Sequence, residues 1–72
     1  MTTLKIDLFW ETRKEAIAKL NWYNNNVTRF RVVIDPVDAN SSLQRTKLAL
    51  IKEMRNLDFK AHNDNDLIWY KE

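Results

Sequence analysis

Apolar and polar positions alternate along residues 3–10, TLKIDLFW. Leu4, Ile6, Leu8 and Trp10 fall on one side, and Lys5, Asp7 and Phe9 on the other. A period of two predicts a half-buried strand. The period then lengthens. Ala16, Ile17, Leu20 and Tyr23 share one side at helical spacing, behind the capping box Thr12-Arg13-Lys14-Glu15. In such a box the threonine hydroxyl accepts from the amide three residues on, and the glutamate reaches back. A helix is expected to run to about Tyr23, with Asn24-Asn25-Asn26 as its stop.

Alternation returns at residues 27–34, where Phe30, Val32 and Ile34 oppose Arg29 and Arg31. Asp35-Pro36 should end this second strand, because proline lacks the ladder donor and restrains the residue before it. A polar loop to Asn40 leads into Ser41-Ser42-Leu43-Gln44, which offers a second capping box. The helix behind it lines up Leu43, Leu50, Met54 and Leu57, with Thr46 and Ile51 beside them. Arg45, Lys52 and Arg55 point the other way, and the apolar Leu48 stands among them. In the tail, two β-prone runs flank Asn63-Asp64-Asn65-Asp66, which predicts an antiparallel hairpin.

The order β-α-β-α-β-β predicts an α/β (α+β) fold with right-handed crossovers, a single small domain over residues 1–72. Two helices can cover only one face of so small a mixed sheet, giving a two-layer sandwich with the other face open. Phe30, Val32 and Ile34 then pack beneath the helices, and Arg29 and Arg31 join Lys5, Asp7 and Phe9 on the open face. A slip of one residue would bury both guanidinium groups. The hairpin register is not readable. Lys60 and His62 either join one of Trp69 and Tyr70 on the open face or lie opposite it.

Composition narrows the chemistry. Twelve Lys and Arg against ten Asp and Glu leave a net charge of only +2. Glycine is absent, which excludes glycine-rich phosphate loops and leaves eight asparagines to fill positions that glycine would take. Cysteine is absent too, so no disulfide or thiolate metal site can form, in keeping with a reducing compartment. No apolar run reaches the length of a signal peptide or a spanning helix. A cytoplasmic protein without membrane contact is expected.

Catalytic constellations are sparse. His62 is the only histidine, and Ser41 and Ser42 are accounted for as caps. Asp7, Asp35 and Asp38 would support a metal-dependent nuclease only if they converged, and Asp64 and Asp66 lack the glycine and glutamate of a calcium loop. No enzyme, cofactor or metal is expected.

The expected function is therefore that of a small non-enzymatic regulator or inhibitor acting by protein–protein binding. Trp22, Arg45, Leu48, Lys52, Arg55 and Trp69 are its candidate contacts, because aromatic anchors within a charged rim are what interfaces use. The alternative is an RNA- or single-stranded-DNA-binding protein that uses Lys5, Phe9, Arg29, Arg31 and Lys60, or the basic helix face. A homodimer through an open edge of the last strand is a further expectation, with Lys60 and Lys71 placed to discourage it.

Overall fold

The computed structural model describes residues 2–38, 41–62 and 67–71. The elements are β1 (Thr2–Ile6), α1 (Arg13–Asn26), β2 (Phe30–Ile34), α2 (Leu43–Asn56), β3 (Lys60–Ala61) and β4 (Ile68–Lys71). They form the predicted α+β sandwich, with a four-stranded mixed sheet in the order β1-β2-β4-β3. β1 runs parallel to β2, and β4 is antiparallel to both of its neighbours. β4 therefore lies inside the sheet, and the free edges belong to β1 and the two-residue β3. This overturns the expectation that the last strand offers the open edge. The predicted hairpin turn at 63–66 and the loop end at 39–40 lie outside the described residues.

The helix-covered face is sealed. Leu4, Ile6, Phe30, Val32, Ile34 and Trp69 from the sheet meet Ala16 and Leu20 of α1 and Leu50, Ile51 and Met54 of α2 in one apolar cluster. No polar side chain is buried among the described residues. Phe30 is its hub, with ring centroids 5.5 Å from Tyr23 and 5.3 Å from Phe59. Aromatic groups at these separations add packing energy beyond the area they bury.

β1 stops at Ile6, four residues short of the expected end, because Asp7 turns the chain. Its carboxylate accepts from the Phe9 amide at 3.0 Å, and its carbonyl accepts from Trp10 at 3.1 Å and Glu11 at 3.0 Å. Aspartate competes well for nearby amides and so favours turns over ladders. Phe9 consequently leaves the sheet, and Trp10 leaves the apolar stripe that the alternation assigned to it. β2 begins at Phe30, so Arg29 is an exposed residue before the strand rather than a strand residue on the open face with Arg31.

The two expected capping boxes part company. In α1 both bonds form, Glu15 N donating to Thr12 Oγ1 and Thr12 N to Glu15 Oε1, each at 3.1 Å. The Thr12 amide, more than its hydroxyl, holds the Glu15 carboxyl below its ordinary pKa of 4.5. The helix then runs through all three asparagines to Asn26 instead of stopping at Tyr23. Its last turn is closed by Val27 N donating to Tyr23 O at 2.8 Å.

In α2 the cap position falls to Ser42, whose backbone is already helical and whose side chain makes no cap bond. Ser41 Oγ instead accepts from Leu43 N at 3.1 Å, and the Gln44 amide reaches the Val37 carbonyl at 3.4 Å. The C-terminus of α2 follows the Schellman pattern, Phe59 N donating to Met54 O at 2.9 Å and Asp58 N to Arg55 O at 3.1 Å. The left-handed position there, φ 66°, is taken by Asp58, not by one of the asparagines. That turn delivers Phe59 into the core.

Candidate interaction surfaces

Three surfaces gather the exposed chemistry. The first is the tip between β1 and α1. Trp10 is 85% exposed and Phe9 67%, the most exposed large apolar side chains among the described residues. Their base is firm. Asp7 holds three successive amides, the Thr12 box follows, and Glu11 is tied to Lys19 at 2.8 Å. That bond raises the pKa of Lys19 above 10.5. The flanks are acidic: Asp7 and Glu11 bracket the pair, and the Asp35 amide bonds the Ile6 carbonyl at 3.0 Å, setting Asp35 beside the end of β1.

The second surface is the outer stripe of α2. Arg45, Leu48, Lys52 and Arg55 recur at helical spacing and all four are exposed, Leu48 to 61%. This is the arrangement the sequence predicts. Trp69 does not join them. It is 1% exposed and faces the core, with the Arg55 guanidinium 5.7 Å above its ring, so it is removed as a contact residue. Trp22 is 58% exposed and packs edge-on against Tyr23 within α1. It lies about 15 Å of helix rise from the aromatic tip, so the two cannot form one anchor.

The third surface is the open face of the sheet. The pairing aligns Thr3, Arg31, Tyr70 and Lys60 in one row across all four strands. Lys5, Val33 and Ile68 form a second row, extended by His62, whose amide donates to Ile68 O at 2.8 Å. The tail register is thereby resolved: Tyr70, Lys60 and His62 take the open side and Trp69 the closed one. Arg31 donates from Nη2 to Thr3 Oγ1 at 3.1 Å, and its Nε makes no hydrogen bond. His62 meets the Tyr70 ring edge-on at 4.8 Å. Below them Asp58, Lys60, Ala61, His62, Tyr70 and Lys71 line an open cleft of about 500 Å³. On its far wall Lys71 Nζ donates to the Leu57 carbonyl and lies 5.4 Å from the Phe59 ring centre.

Of the five nucleic-acid candidates, Lys5, Arg31 and Lys60 thus share the sheet face, whereas Phe9 and Arg29 do not. Periodicity alone does not tell whether Trp69 or Tyr70 stands with Lys60, because it leaves the hairpin register open. The parity of Trp10 in the alternating run fits a core position as well as a rim one, so alternation alone does not mark it as exposed. Among the described residues, no three carboxylate, histidine or cysteine groups are placed to hold a metal ion, so Asp7, Asp35 and Asp38 do not assemble one. No helix among them is long and apolar enough to cross a membrane. Comparison with family models, curated proteins and solved structures finds no match to this chain.

Proposed function

We propose that this protein works by binding another protein, as small regulators and inhibitors do, and that the Phe9–Trp10 tip is its anchor. The observation that carries the reading is the contrast between a sealed apolar core and two adjacent aromatic residues held out in solvent on a braced turn. Tryptophan is prominent among interface residues whose truncation costs most. A turn already fixed by Asp7 loses little freedom when it docks, which favours binding. With Glu11 paired to Lys19, Asp7 and Asp35 are the carboxylates beside the tip that favour a partner offering an apolar pocket with a basic rim. The α2 stripe with Leu48 carries the opposite charge and would serve a different contact.

The test uses the full chain with a photoreactive phenylalanine analogue at position 10, and at position 14 as a control, in the cells that produce it. A single dominant crosslinked protein from position 10, absent from position 14 and lost on Phe9→Ala, is expected. Equal crosslinking from both positions, or none from position 10, would overturn the reading.

A further inference from the structure

We infer that the open face of the sheet is a second, separate site, and that it binds single-stranded nucleic acid. It owes nothing to the aromatic tip. In the first row Arg31 and Lys60 stand on either side of Tyr70, and in the second Lys5 and His62 stand on either side of Val33 and Ile68. None of the eight residues is acidic. Among the described residues, Asp7 and Asp35 lie past the strand ends, and Asp58, before β3, lines the cleft beside Lys60 and His62.

Four strands at about 4.8 Å spacing make each row roughly 14 Å long, enough for a short stretch of extended strand. Two of the groups are braced before any ligand arrives, Arg31 by the Thr3 hydroxyl and Tyr70 by the His62 ring. A ring between cations suits a ligand that presents a flat base beside each phosphate. A duplex hides its bases, and its dense charge calls for a larger basic surface than three permanent cations provide. A single strand offers both groups at once.

Fluorescence anisotropy of the pure full chain with labelled oligouridylate and oligothymidylate tests this. Saturable binding is expected, with log K falling against log salt at a slope of about −2, since each single-strand phosphate contact contributes about 0.7. Arg31→Ala with Lys60→Ala should flatten that slope to below about 1, leaving Lys5 alone. Tyr70→Leu, which keeps apolar bulk but removes the ring, should weaken binding about tenfold at an unchanged slope.

Arg45→Ala with Lys52→Ala, on the competing α2 face, should change neither quantity. Circular dichroism verifies the fold of each variant, and the Arg31/Lys60 pair decides alone if Tyr70→Leu does not fold. No binding at low salt would overturn the inference, as would loss of binding only in the α2 variant. Indifference of a folded Tyr70→Leu variant would reduce the face to an unspecific polyanion surface and overturn it equally.

Discussion

The two faces of the sheet are written in the same strands, one residue out of step, and they could hardly differ more. Val32 is fully buried beneath the helices, whereas Val33, its neighbour in β2, stands half-exposed between Lys5 and Ile68. The closed face is apolar except at its Thr2–Phe30–Lys71 end, and it includes the largest fully buried side chain, Trp69. The open face mixes two aliphatic residues with cations and rings. In a chain of this length two helices can roof one side only, and nearly all of the burial that opposes chain entropy must come from that side. The unroofed side is thereby released from the packing constraint. Residues there can be chosen for what they bind, at little cost to folding.

Aspartate scanning of this pair breaks the comparison most directly. Val32→Asp should abolish folding. The whole domain is held by roughly 4–11 kcal/mol, and an unpaired buried carboxylate costs several kcal/mol by itself. Val33→Asp should leave a cooperative thermal transition, since substitutions away from packed features usually cost little. Melts followed by far-ultraviolet circular dichroism separate the two outcomes. Loss of the transition in both variants would mean that the second face is packed as tightly as the first.

What the sequence made legible follows from the same contrast. Alternation at Phe30, Val32 and Ile34 could be read because a register error would have buried arginine, and that penalty leaves one solution. The α2 stripe of Arg45, Leu48, Lys52 and Arg55 was legible for a similar reason, being the complement of a strong apolar stripe. Alternation failed at residues 7–10, where the parity of Leu8 and Trp10 imitates a strand although Asp7 has already taken three amides for a turn. Periodicity carries no trace of a side chain that captures local backbone donors.

The hairpin register failed for another reason. Trp69 and Tyr70 are both β-prone aromatics, and only the pairing of β4 with β2 decides which one goes inward. The exposure of Trp10 and the outward side of Tyr70 were therefore the two features that the sequence concealed.

The roof itself can be loosened without touching the open face. Thr12→Ala removes the hydroxyl that caps α1 and should lower global stability by about 1 kcal/mol, measured as a shift of the urea midpoint at constant slope. Ser42→Ala, at the cap position of α2 that makes no side-chain bond, should shift it by a few tenths at most. Neither variant should alter oligonucleotide affinity well below its melting temperature, because Thr12 and Ser42 lie outside both cross-strand rows. Similar losses in the two variants would show that α2 draws on a serine cap after all.

The smallest effect concerns protons at the same end of the roof. The Thr12 backbone and hydroxyl favour the ionised form of Glu15, so the folded chain holds that carboxyl below 4.5. The unfolded chain then binds the proton more readily, and the associated stability is fully present above pH 4.5. It disappears as the pH falls through the depressed folded value. Glu15→Gln keeps a group that can reach back to the Thr12 amide but removes the titration. The stability advantage of the native chain over this variant should therefore be constant near neutrality and shrink on acidification below 4.5. Glu15 is fully solvent-exposed, so the change is small and needs paired urea titrations at each pH to resolve it. Oligonucleotide binding by the cations of the open face should not follow this profile, because Glu15 lies on the roof and outside both rows. A parallel acid-side loss of stability in Glu15→Gln would assign the effect to other carboxylates and leave the α1 cap without a charged component.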